Sequence, residues 1–261
     1  MLKSDIKAFE IYKNIYFVGS SRVSVHIVRS KMGLIMLDTG YPDMYDQILN
    51  SMADLGLEPE KICAIFHTHG HIDHFGCTLK FKEISGAKTY ISAIDNEITN
   101  GNRNLSWADE LGYPRPEPFN CDVLINDGDV FDFSNVKIRS RLTPGHTEGV
   151  LSYFFEMEDK TVAAMHGGVG MNTLNKDYLI KNGLPLTLID EFLKGLETLK
   201  SERVDLVLGN HPQQNSTSQK LEAVNNGKCV LDKNEWQEFL NIYKEKILNM
   251  ICQEKGEQNG E

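Results

Sequence analysis

Five cysteines, Cys63, Cys77, Cys121, Cys229 and Cys252, are spread through 261 residues without a single Cys-x-x-Cys pair. An odd, scattered set of this kind argues against a disulfide framework, and each thiol reads as a small buried apolar group. No stretch approaches the ~20 apolar residues needed to cross a bilayer. The opening residues, Met1 to Glu10, lack the unbroken apolar core of a secretory signal. The chain is therefore expected in the cytoplasm, or outside it if a leader was removed before residue 1, and away from membranes. Positive charge is in the minority, with 27 Lys and Arg against 37 Asp and Glu for a formal charge of −10, so nucleic acid is not an expected partner. No Gly-x-Ser-x-Gly motif is present, and no serine triad has to be considered.

What remains is ordinary for a globular protein: 41% hydrophobic and 25% charged residues. Ile15–Val18, Ser24–Val28 and Leu34–Leu37 read as strands joined by turns, followed by a helix opened by Pro42 and stopped by Gly56. The almost wholly apolar run Ile62–Phe66 reads as a strand buried on both faces. A helix over Phe75–Ser85 and a strand at Thr89–Ile91 come next, and Asn96–Asn120 reads as irregular. A second strand set follows at 123–125, 130–133, 136–139, 151–155 and 161–165. A helix over Leu186–Lys200, a strand at Asp205–Leu208 and a helix from Lys233 to Met250 complete the pattern. The polar end, Gln253–Glu261, is expected to fray. Two similar sheet-and-helix halves with no linker between them predict one layered α/β domain over residues 1–261, with its core in about 9–250.

The chemistry is concentrated where the buried strand ends, in Thr68-His69-Gly70-His71-Ile72-Asp73-His74. In extended chain, residues two apart face the same side, which directs His69 and His71 together. Asp73 and His74 follow as the chain turns. Four donor side chains within six positions crowd a single ion and suit two ions side by side; imidazoles with one carboxylate favour zinc. Two further histidines stand in loops beside strands: His146 in Thr143-Pro144-Gly145-His146-Thr147, and His211 in Gly209-Asn210-His211-Pro212. Loops on a rigid scaffold are a common seat for such groups.

These three motifs, in this order, resemble the metallo-β-lactamase superfamily over roughly Phe9 to Val224. The resemblance implies a four-layered αββα sandwich with two Zn(2+) ions per chain. His69, His71 and His146 would hold one ion, and Asp73, His74 and His211 the other. Many members carry a bridging Asp after the strand equivalent to Val162–Met165, where this chain has His166-Gly167-Gly168. That departure leaves it most similar to the His-rich subclass three of class B β-lactamases. The implied activity is zinc-dependent hydrolysis of a cyclic amide by a metal-bound hydroxide, with Asp73 also orienting the water or accepting its proton.

Two other functions stay open: a lactone, ester or thioester hydrolase of the same superfamily, and a metal-binding protein without catalysis. The expected partner is a small-molecule substrate. His67 and His26 match no ligand position and read as structural. His166 is expected beside the metals or bonded to backbone in the core. For Asp38, a turn cap and a partner orienting a ligand loop are both consistent with its place before Thr39-Gly40.

Overall fold

Short runs of Ile, Val, Phe and Tyr in the first forty residues suit a pleated, half-buried surface, and turns that tolerate left-handed backbone separate them. In the computed structural model, which describes residues 6–258, β1 (Phe9–Tyr12), β2 (Ile15–Phe17), β3 (His26–Ser30) and β4 (Gly33–Leu37) form an antiparallel meander. Helix α1 (Tyr45–Asp54) carries the chain back so that β5 (Ile62–Phe66) lies parallel to β4. The one-turn α2 (Ile72–Phe75) and α3 (Thr78–Ser85) do the same for β6 (Lys88–Ser92), and α4 (Ala93–Thr99) precedes β7 (Val123–Ile125). All seven strands pair in sequence order as one sheet.

The second sheet holds β8 (Val130–Asp132), β9 (Val136–Leu142), β10 (Leu151–Met157) and β11 (Val162–His166), again a meander. After α5 (Lys176–Lys181) and α6 (Leu188–Leu199), β12 (Leu206–Gly209) adds parallel to β11; α7 (Thr217–Asn225) and α8 (Glu235–Gln258) follow. The period-two alternation of a strand sends Tyr153 and Phe155 of β10 into the core between the sheets, where they meet Leu37 and Phe66. Phe154, between them, points the other way and packs with Phe192 of α6 and Trp236 of α8. The outer face of the first sheet, with Met36 and Ile65, is covered by Ile48 of α1 and Phe81 of α3. Helix, sheet, sheet and helix thus stack in the four layers that the family resemblance implies. Each fully buried large apolar side chain contributes roughly 1.5–3 kcal/mol to holding them.

Departures are local. The helix expected from Pro42 starts at Tyr45, because the Pro42 segment is held against Gly76, where a Cβ would lie 2.4 Å from the Pro42 nitrogen. At the same contact the Gly76 N–H donates to the Gly40 carbonyl at 2.9 Å. The expected helix Phe75–Ser85 is accordingly divided at Gly76 and Cys77 into α2 and α3. The stretch expected to be irregular from Asn96 begins inside α4. Of the end expected to fray, residues 253–258 belong to α8, and 259–261 lie outside the described residues. Strand β1, only four residues long, and helix α7, with few apolar residues, were not read from the sequence. Among the described residues, no helix is long and apolar enough to cross a membrane.

Candidate metal centre

The site is built where the parallel strands of the first sheet end. Buried β5 delivers the chain beyond Phe66 still extended, and the Leu151 N–H donates to the Thr68 carbonyl at 2.9 Å, tying this edge to the second sheet. His71 keeps extended backbone at the start of α2, whose single turn presents Asp73 and His74 on the same wall. His146 comes from the β9–β10 connection, and His211 lies just past β12.

The structure brings the six expected residues together as two groups that could each hold a metal ion: His69, His71 and His146, and Asp73, His74 and His211. Within each group one donor atom per residue lies within 4.8 Å of the others. His69 Nε2 and His71 Nδ1 stand 3.1 Å apart. Asp73 Oδ2 lies 3.4 Å from His74 Nε2 and 3.5 Å from His211 Nε2. The groups adjoin, since the His69 and His74 ring centroids are 4.2 Å apart.

The ring nitrogens of His69, His74, His146 and His211 that face away from these groups are engaged. Hydrogen bonds of this kind fix the tautomer, leaving a lone pair directed inward. His74 Nδ1–H donates to Asp38 Oδ2 at 2.8 Å. The same carboxylate accepts from the Thr68 N–H and hydroxyl, each at 2.8 Å. The Thr68 oxygen lies 3.0 Å from His69 Nδ1. One buried carboxylate therefore orients a ring in each group, directly for His74 and through Thr68 for His69. Asp38 takes a left-handed φ of 55°, uncommon outside glycine, and its side chain serves the ligand loop rather than capping its own turn. His146 Nδ1 donates to the Gly170 carbonyl at 3.0 Å and touches the Thr173 hydroxyl at 2.8 Å. His211 Nδ1 donates to the Arg22 carbonyl at 2.9 Å.

The electrostatics of the two groups differ. Burial, reinforced by the neighbouring rings, holds His69 and His71 well below the ordinary imidazole pKa, and burial takes His146 down to about 4. These three rings are neutral donors at physiological pH. Burial also opposes charge on His74, but the carboxylates of Asp73 and Asp38 outweigh it and push its pKa up to about 10. Asp73 is held below the usual carboxylate range, its desolvation overcome by His74 and His211. Three neutral imidazoles in one group, and in the other an ionised carboxylate with two histidines whose outer nitrogens are held, fit divalent ions of borderline-soft preference.

The other histidines are elsewhere. His67 lies under the site, with Nε2 3.2 Å from the Thr78 hydroxyl. His26 is fully buried beside Phe17. His166 turns into the core between Phe192 and Phe239, and its Nδ1 accepts the Gly168 N–H at 3.2 Å. No carboxylate replaces it at that strand end. The sequence reading missed Asp95, whose buried carboxylate touches the loops of two motifs. The signal was present: Ser92-Ala93-Ile94-Asp95 has capping-box spacing, and the Ser92 Oγ caps α4 by accepting the Asp95 N–H at 3.1 Å.

Above the two groups lies a cleft of about 210 Å³ walled by Tyr41, Trp107, Leu111 and Val169, with Asn172 and Gln214 at its polar side. A larger hollow of about 780 Å³ sits at the opposite ends of β4 and β5, among Gly33, Glu58 and Cys63. It is remote from every one of these histidines.

Residues 18–162, more than half of the chain, match the Metallo-beta-lactamase superfamily, and the chain belongs to it. An uncharacterised protein of Aquifex aeolicus is 31% identical over 159 residues, covering 59% of this chain and 71% of that protein. A hydroxyacylglutathione hydrolase of Acaryochloris marina is 29% identical over 108 residues, covering 41% of this chain but only 34% of that enzyme. In three dimensions the fold matches a metallo-β-lactamase from Legionella gormanii with a TM-score of 0.86 at 19% identity, covering 96% of this chain and 97% of that one. A subclass B3 metallo-β-lactamase of Bradyrhizobium japonicum gives a TM-score of 0.85 at 21% identity, covering 97% and 96%. As a member of this superfamily the chain is a metallo-hydrolase.

Proposed function

We propose that the chain holds two zinc ions and hydrolyses a cyclic amide of the β-lactam kind. The observation that carries this is the pair of adjoining donor groups, one of three histidines and one of Asp73, His74 and His211, with His166 turned into the core where a bridging carboxylate would stand. His69, His71 and His146 would hold one ion, and Asp73, His74 and His211 the other. Zinc in such a setting supplies an acidified water and a Lewis acid that polarises a carbonyl.

The chain's own residues do the rest. Asp73, ionised and only 7% exposed at the foot of the cleft, would give a carboxylate oxygen to the metal ion and orient a water or accept its proton. Asp38 keeps His74 and His69 aimed. Tyr41, Trp107 and Leu111 give the substrate an apolar wall that excludes water, while Asn172 and Gln214 offer polar contacts. The near-complete structural overlap with β-lactamases supports the cyclic-amide reading. The likeness to a hydroxyacylglutathione hydrolase supports a second one, hydrolysis of a thioester or lactone.

Assaying the zinc-loaded protein on a carbapenem, a penicillin, an acyl-lactone and an acyl thioester separates them. The expected result is β-lactam turnover that a chelator abolishes. Asp73→Asn should reduce it by more than the ~10–100-fold typical of losing a partner behind a ligand. Turnover of only the lactone or thioester would overturn the cyclic-amide assignment in favour of the second reading.

A further inference from the structure

Asp95 is wholly buried in the first turn of α4, and none of the roles described so far uses it. Its Oδ2 accepts from the Gly70 N–H at 2.8 Å and from the Thr147 hydroxyl at 2.6 Å, and its Oδ1 accepts from the Gly149 N–H at 3.0 Å. Gly70 separates His69 from His71, and Thr147 follows His146. The contacts are close enough to exclude other residues at both glycines. A Cβ on Gly149 would fall 2.3 Å from Asp95 Oδ1, and one on Gly70 would fall 2.9 Å from the Ile98 Cβ one turn further along α4. Both ligand loops are thus seated on the same helical turn. None of these three bonds reaches His74 or His211, whose rings are held instead by Asp38 and the Arg22 carbonyl.

We infer that Asp95 is a positioning residue for the three-histidine group: its buried carboxylate fixes the separation between the loop carrying His69 and His71 and the loop carrying His146. The inference rests on the proposal that this group binds metal. A carboxylate is required because three donors converge on it and it has two acceptor oxygens. An asparagine has one oxygen, so an amide N–H₂ must face at least one of the donating N–H or O–H groups, and a buried donor loses its partner. The loops then relax away from each other, while the Asp73, His74 and His211 group keeps its own supports.

The test is zinc affinity, measured by competition with a chelating dye on the full chain after metal removal. Asp95→Asn is placed in His211→Ala, where the three-histidine group alone stays complete, and separately in His146→Ala, where the other does. Affinity is expected to fall ~10–100-fold in the first background and less than ~3-fold in the second, the size of effect that outer partners have on metal sites. Thr147→Val, which removes one of the three bonds and keeps the shape, should show the same selectivity at smaller size; it decides the matter if Asp95→Asn does not fold, as judged by circular dichroism. No loss in the first background, or equal loss in both, overturns the role of Asp95. An unsubstituted chain that binds no zinc in this titration overturns the metal proposal and the inference together; two ions bound without the selective loss overturns the inference alone.

Discussion

Asp38→Ala is expected to lower hydrolysis by ~100-fold and to destabilise the fold by ~3–5 kcal/mol, the usual cost of removing one member of a buried charged pair. The carboxylate accepts three hydrogen bonds, from the Thr68 N–H, the Thr68 hydroxyl and His74 Nδ1. Alanine leaves all three donors buried and unpaired. It also frees the His74 ring, and through Thr68 the His69 ring, to change tautomer or rotate. Both donor groups are affected, in contrast to the single group that Asp95 supports. Asp38→Asn keeps the volume but puts an N–H₂ against at least one donor, so its effect should be intermediate. Steady-state rates and urea midpoints of the three proteins check this. Near-normal activity in Asp38→Ala would show that the carboxylate only shapes its turn.

Gly170→Ala is the second large effect, and it arises from space alone. The His146 ring lies between two glycines. A Cβ on Gly170 would stand 2.6 Å from His146 Cε1, and one on Gly168 would stand 2.9 Å from Cδ2. Neither distance is tolerable, and the ring is the part that must move. A displacement of about 1 Å at a reacting centre can cost ~100-fold in rate, and that is the expected loss. The fold should survive, because neither glycine lies within a strand or helix. Gly195→Ala is the control: it sits in α6, the nearest atom to its added Cβ is 3.8 Å away, and alanine is favoured over glycine in a helix by ~1 kcal/mol. It should be as active as the parent and slightly more stable. Equal activity in Gly170→Ala would mean that His146 is not held by this cradle.

His69, His71, Asp73 and His74 were legible from their spacing, because they share one short run behind a buried strand; His146 and His211 stand singly in loops and joined them only through the family resemblance. The two-sheet layering was legible from local pattern, since buried strands such as Ile62–Phe66 have few alternatives. What lay beyond the sequence was long-range. Asp95 reads locally as the second half of a capping box, yet its carboxylate serves Gly70, Thr147 and Gly149, up to 54 positions away. The division of the Phe75–Ser85 helix follows from a backbone contact with Gly40 and Pro42 that no periodicity encodes. Helices α5 and α7 were hidden because their few apolar residues do not mark a continuous face. The turn of His166 into the core depends on Phe192 and Phe239, which arrive from α6 and α8.

The central proposal is that the two adjoining groups, one of three histidines and one of Asp73, His74 and His211, each hold a metal ion. Its most direct test is a calorimetric titration of the metal-free chain with zinc at pH 7.5, repeated in buffers of different ionisation enthalpy. His74, raised to about 10 by Asp73 and Asp38, carries its proton at that pH and must release it to become a ligand, so affinity for the second ion should rise with pH below that value. The three-histidine group, with pKa values lowered by burial, has none to release. The predicted result is two ions bound per chain with at least one proton liberated as the second enters. A single ion, or two ions bound with no proton released, would contradict it.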